Sequence, residues 1–188
     1  MKRIILFFCV SLFAFCLNAQ NRHELSVFIG GESTDFIKQD DGFASREDLM
    51  DMYEPHYALN CGPVLTVTYH YTFNSWLSVG SQFSYGSMDG EIWHKLGSKQ
   101  DEDFRKETYS LLPEAKFRYC GKGHLRLYGK TAIGLKYSTG THVDKPLGFA
   151  WEVTPAGLEW GGHKFYGVAE FCWGSVIRGG RIGVGFNF

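Results

Sequence analysis

The chain has 188 residues, of which 44% are hydrophobic and 16% aromatic, with 23 glycines and five prolines. That length suits one domain, and the Gly- and aromatic-rich balance fits strands joined by tight turns better than a helical bundle. The formal charge of −1 excludes the basic footprint of a nucleic-acid-binding protein, and no stretch after the N-terminal segment is long and apolar enough for a membrane helix.

Residues 1–19 read as a secretory signal peptide, which leaves 20–188 as the folded domain. Lys2 and Arg3 give the basic start, Ile4 to Leu17 is apolar apart from Ser11, and Ala19 is the small residue before Gln20. A lipoprotein signal ending at Cys16 is the rival reading. Phe15 opposes it, because that cleavage site normally has a small residue before the cysteine. Removing Lys2 and Arg3 from the 19 basic residues leaves 17 against 20 acidic ones, a formal charge of −3. Cys61, Cys120 and Cys172 remain. They are odd in number and far apart, so neither a disulfide framework nor a zinc site is expected.

Eight strands follow in order, each with two-residue periodicity. The first runs over about 23–32, with Leu25, Val27 and Ile29 alternating with Ser26, Phe28 and Gly30. A polar stretch, 33–56, separates it from the second (57–73), where Leu65, Val67, Tyr69, Tyr71 and Phe73 share a face. Asn74-Ser75 is a turn signal before the third strand (76–88). A second polar segment runs to about Phe104. The fourth strand (105–120) sets Tyr109, Leu111, Pro113, Ala115, Phe117 and Tyr119 against Thr108, Ser110, Leu112, Glu114, Lys116 and Arg118.

The fifth (124–138) sets Leu125, Leu127, Ile133, Leu135 and Tyr137 against Arg126, Tyr128, Lys130, Ala132, Gly134 and Lys136. In the sixth (147–160) the phase slips at Pro155-Ala156-Gly157, and a bulge there restores the register. The seventh covers about 163–173. The eighth (179–188) places Ile182, Val184, Phe186 and Phe188 on one parity and Arg181 on the other. The connections alternate between long or medium and tight. Helical spacing is confined to Ser45–Tyr53, where Ser45 and Asp48 resemble a capping box. The segments around Pro63, Pro113 and Pro155 form a weak internal repeat on even-numbered strands, so the repeating unit is a hairpin. A proline inside a strand removes a ladder donor, which leaves the strand limits near these three residues open.

Alternation alone does not say which face points outward. A lipocalin-like soluble barrel turns its apolar face inward around a ligand, and a membrane barrel turns it toward lipid. Four features favour the membrane. Aromatic residues gather near strand ends on the apolar face (Tyr71, Phe73, Tyr85, Tyr109, Tyr119, Tyr137, Phe186, Phe188), as interfacial girdles do. Long and tight connections alternate, as at two unlike rims. The other face carries Glu114, Lys116, Arg118, Arg126, Lys130, Lys136, Glu152, Glu170 and Arg181 among small residues, a set that can pair inside a narrow barrel. The strands also exceed the roughly 9–11 residues a tilted strand needs to cross. The expected fold is an all-β, eight-stranded, antiparallel up-and-down transmembrane barrel.

Signal peptide, eight alternating strands, the Gly-rich last strand and Phe188 together resemble the small outer-membrane β-barrel proteins of Gram-negative bacteria. Trp151–Glu159 and Gly167–Phe171 are similar to late strands of the group known as the outer membrane protein β-barrel domain. The resemblance implies location in the cell outer membrane, contact with its lipid and lipopolysaccharide, and recognition by the barrel insertion machinery. The signal for that machinery would be the last strand, with Phe188 as terminal aromatic and Gly183, Val184 and Phe186 upstream.

Chemistry is sparse. Some small barrels are lipid A-modifying enzymes, and a deacylase of that kind needs a serine, a histidine and an acid together at the lipid-facing rim. His23, His56, His70, His94, His124, His142 and His163 do not stand in the His-x-Ser arrangement those deacylases use. His70 shares the inward face with Thr68 and Thr72 and reads as a hydrogen-bonded interior residue. No metal spacing, phosphate-cradling loop or nucleophile elbow occurs, so no catalytic, cofactor or metal residues are expected. Loop 32–56 holds eight acids against Lys38 and Arg46, a solvated loop by default and a candidate contact for an extracellular partner. The expected role is non-enzymatic, structural or interactive. The alternatives are a lipid-modifying enzyme with an unrecognised site, a soluble ligand-binding barrel and a pore.

Overall fold

A computed structural model describes residues 22–32, 56–94, 98–122, 124–140 and 146–188. The expected signal peptide, the expected helix over 45–53 and nearly all of the acidic loop lie outside the described residues. The strands are β1 (His23–Glu32), β2 (His56–Cys61), β3 (Val64–Thr72), β4 (Leu77–His94), β5 (Ser98–Lys122), β6 (Leu125–Gly140), β7 (Leu147–Gly161), β8 (Phe165–Gly174) and β9 (Arg178–Asn187). Each pairs antiparallel with its neighbours, and β1 pairs with both β3 and β9, which closes the sheet on itself. Segments β2 and β3 both pair with β4 and form one crossing interrupted at Gly62-Pro63, so the barrel has eight strands. Closure removes the open edges that a flat sheet would present.

The apolar parity faces out. Ile182 and Val184 are 63% and 67% exposed, while Arg181 beside them is 2% exposed. Leu25, Val27, Ile29, Leu65, Phe83, Leu111, Leu135, Phe149, Phe171 and Trp173 are outward and exposed in the same way. Some apolar side chains also face inward, among them Phe28, Tyr128, Tyr166 and Val168, which pack together inside the lumen. Aromatic contacts mark two levels on the outer surface. Tyr85 and Tyr109 lie 5.2 Å apart toward the rim of the longer connections, and Trp76 stacks on Phe117 (6.3 Å) toward the tight-turn rim. Tyr109 and Phe117 sit on one strand, about 27 Å apart along it at ~3.4 Å per residue. At the usual tilt that is roughly 20 Å along the axis, close to the apolar band of a membrane barrel.

The three prolines sit at irregularities. Pro63 separates β2 from β3, and the Gly62 N–H keeps a rung by donating to the Ser87 carbonyl (3.0 Å). Pro155 lies within the register shift between Val153 and Ala156 that β7 shows against β8. The shift leaves Glu152 and Glu159 buried on the same side despite their opposite parity, and turns Trp160 outward. Pro113 pairs with Ser81 on β4, while the β5–β6 pairing passes from Leu111↔Leu135 to Glu114↔Ala132. Each ring therefore stands where the ladder is already broken or needs no donor.

Two sequence expectations need correction. The polar segment expected to follow Met88 is strand: β4 continues to His94 and β5 begins at Ser98, with Asp89↔Arg105 and His94↔Ser98 paired. Pairing therefore continues through a segment whose sequence shows no apolar alternation. The last connection is not a medium loop. It is the three-residue turn 175–177, folded into the barrel mouth.

Candidate functional site: the lumen and the closing seam

The lumen holds a continuous set of ion pairs. Lys116, between β4 and β6, donates to Glu24 Oε1 (2.5 Å) and to Glu159. Arg126 Nε lies 2.7 Å from Glu159 Oε2, and Arg118 Nη2 lies 3.6 Å from Glu24 Oε2. These residues make up the half nearer the tight turns. In the middle, Arg181 donates through Nε to Glu170 (2.6 Å) and through Nη2 to Glu152 (2.8 Å) and Gln82 Oε1 (3.2 Å). Gln82 Nε2 donates to the other Glu152 oxygen at 2.7 Å. Lys130 Nζ is 2.9 Å from Glu170 and 3.5 Å from Glu114, and Tyr128 donates to Glu170. His70 joins the halves, with Nε2 2.8 Å from Glu114 and Nδ1 3.8 Å from Glu24.

Pairing is required here. Moving an isolated carboxylate or ammonium out of water costs several kcal/mol even after relaxation, and only partners at this range offset it. The aromatic side chains inside contribute as well. Lys116 Nζ sits 4.3 Å from the Tyr128 ring centroid, Arg126 lies 4.9 Å from that of Tyr166, and Arg181 lies 4.8 Å from that of Phe28.

Of the charged residues expected to face inward, Glu114, Lys116, Lys130, Glu152, Glu170 and Arg181 are buried. Arg118 and Arg126 are partly exposed near the tight-turn rim. Lys136, also partly exposed, lies near the opposite rim, where its stem covers Gly148. Glu24 and Glu159 belong to the network and were missed by the sequence reading. Carrying the first strand's alternation one rung back from Ser26 would have found Glu24. Carrying the bulge through to the end of β7 would have found Glu159.

The closing seam brings the other expected residues together. His23 and Phe188 exchange backbone hydrogen bonds of 3.0 and 2.9 Å, and their rings stack at 5.5 Å and 13°. Phe186 lies 5.7 Å from Phe188 and 4.6 Å from Phe165, and His23 Nδ1 is 2.7 Å from the Tyr69 hydroxyl. Val184 points outward. Gly183 faces Phe28 closely enough that a Cβ there would lie 2.8 Å from that ring and 2.2 Å from the Val27 carbonyl oxygen. No serine–histidine pair with a supporting acid forms at the outer surface of the described residues, and those residues hold no metal-binding cluster. Cys120 is exposed and Cys172 buried, and neither forms a disulfide.

No family model matches the chain, and no curated protein matches it. Among solved structures it is similar to the N-terminal β-barrel domain of Pseudomonas aeruginosa OprF. The identity is 17% over 90% of this chain and 98% of that one, with a TM-score of 0.46. It is also similar to the Yersinia pestis outer membrane protein Ail, solved in a phospholipid bilayer nanodisc. There the identity is 18% over 88% and 99% of the two chains, with a TM-score of 0.43.

Proposed function

We propose that the protein is an integral β-barrel of the Gram-negative outer membrane with a non-enzymatic role, structural or in surface contacts. One observation carries the reading: side-chain polarity is inverted, with a band of exposed apolar residues outside and paired charges inside. A soluble monomer rarely exposes a contiguous apolar surface of that extent. A ligand-binding barrel needs an open apolar interior, and this lumen is filled by side chains. Lipid and lipopolysaccharide are the partners of the outer band. The rim of longer connections, including loop 32–56, is the surface offered to an extracellular partner.

Fractionation tests location. The protein is expected in the outer-membrane band of a density gradient, and to migrate differently on gels before and after heating in detergent. Recovery as a stable, detergent-free soluble protein would overturn the proposal. Lipid A tests the role: a deletion strain should show an unchanged acyl pattern by mass spectrometry, and a changed pattern favours the lipid-modifying alternative.

The seam supports a second part of this reading, in which Gly183, Val184, Phe186 and Phe188 form the signal for the insertion machinery. Deleting Phe188 removes two seam hydrogen bonds and the stack on His23. The truncated protein should reach the outer membrane at a small fraction of the normal level, lower than any loop deletion. Quantitative blotting of membrane fractions checks this, and a normal level sinks it.

A further inference from the structure

The lumen changes character along its axis. Toward the tight turns it is ionic. Toward the other rim buried hydroxyl side chains (Thr66, Ser84, Thr108, Ser110) stand beside two apolar clusters, Val64, Cys172 and Ile177 in one and Leu112, Ala132, Ala150 and Val176 in the other. Most of these residues are strand residues. Val176 and Ile177 are not: they belong to the turn 175–177 between β8 and β9, where a connection would ordinarily sit in water. They are 5% and 0% exposed.

The turn is held inward from two sides. Ser175 N–H donates to the Trp151 carbonyl (2.8 Å), and the Ser175 hydroxyl accepts from the Trp151 N–H (2.8 Å). Across the mouth, Gly31 has φ +67°, and a Cβ placed there would lie 2.4 Å from Ile177 Cγ1 and 2.6 Å from Cδ1. Glycine thus provides both the left-handed backbone and the space that Ile177 occupies. Cys172 packs in the Ile177 cluster, and its thiol lies 3.8 Å from Glu170 Oε2, at the junction with the ion pairs.

We infer that the turn 175–177 is a stopper: Val176 and Ile177 seal the lumen at the long-connection rim and keep water and small ions off the ion pairs beneath. The seal is built from a three-residue turn of the barrel itself and needs no long loop folded over the mouth. It explains why two adjacent apolar residues occupy a turn, where polar residues are the norm. It also explains why direct ion pairs persist in the lumen, since water reaching them would compete for every partner.

Cys172 reports on the seal. In the full chain carrying Cys9→Ser, Cys16→Ser, Cys61→Ser and Cys120→Ser, Ag⁺ is added to the folded protein for timed intervals. The remaining thiol is then counted with a maleimide after unfolding. Thr139→Cys, in the same background with Cys172→Ser, gives the rate for a thiol at the open rim. Cys172 should react at least about tenfold more slowly than that, as a group exposed only by local opening does. Val176→Gly with Ile177→Gly should raise the rate by about tenfold or more while heat-modifiable migration is retained. Gly31→Val, which displaces Ile177 without changing the sequence of the turn, should do the same. A wild-type Cys172 as reactive as the rim cysteine overturns the inference without any variant, and so does a folded double-glycine variant with an unchanged rate.

Discussion

Arg181→Met lowers the stability of the folded barrel by about 3–5 kcal/mol, the usual cost of removing one partner from a buried ion pair. Arg181 donates to Glu170, Glu152 and Gln82, and all four side chains are buried. The substitution keeps much of the volume but leaves Glu170 to Lys130 (2.9 Å) and the Tyr128 hydroxyl, and Glu152 to the Gln82 amide. Equilibrium urea unfolding in phospholipid vesicles measures the loss. Adding Glu170→Gln removes one uncompensated charge and should recover part of it, a coupling that a double-mutant cycle reads directly. A loss below about 1 kcal/mol, the range of a solvated surface pair, would mean that water fills the lumen.

Ile133→Arg is the matching experiment on the outer face. Ile133 is 63% exposed, is paired with Trp151 and lies between the two aromatic levels. In a bilayer an arginine near mid-depth costs about 2–4 kcal/mol. On a barrel surrounded by water the same change would stay within roughly ±0.5 kcal/mol. Thr139→Arg, on the same outward parity but beyond Tyr137, is the control and should be near neutral. Comparing the two variants in vesicles isolates depth from every other effect of the charge. Equal stabilities would remove lipid from the account of the outer face.

Much of this architecture is legible in the sequence because one face of each strand is apolar and exposed while the other lines a crowded, largely polar interior. The first strand over 23–32 coincides with β1, and the slip at Pro155 is a true bulge. The direction of the apolar face follows from where the charges and aromatics fall along each strand. Reading stops where that two-sided constraint stops. Polar residues predominate over 89–104, so the pairing of Asp89 with Arg105 and His94 with Ser98 leaves no periodic trace in the sequence. Glu24 and Glu159 sit at strand ends, where a reader truncates the pattern. The inward turn depends on Gly31, far from Ile177 in sequence and meaningful only once β1 and β9 are side by side. A function cannot be read in the same way, because lumen and belt both answer to folding, and any recognition would fall on the connections.

The bulge in β7 has a consequence for how this chain can vary. Side chains on a barrel strand are read in twos, so a single inserted or deleted residue acts like a frameshift, exchanging lipid-facing and lumen-facing side chains as far as the next turn. The extra residue at Thr154–Ala156 is such a shift, fixed in place: it resets the frame so that Glu159 meets Lys116 and Arg126 while Leu158 and Trp160 turn away from the lumen. Straightening the strand with that residue kept would send Leu158 and Trp160 into the lumen and Glu159 to the outer face, whereas deleting the residue would leave a regular strand with Glu159 still inward, so a single added residue within a crossing is tolerable where a bulge absorbs it.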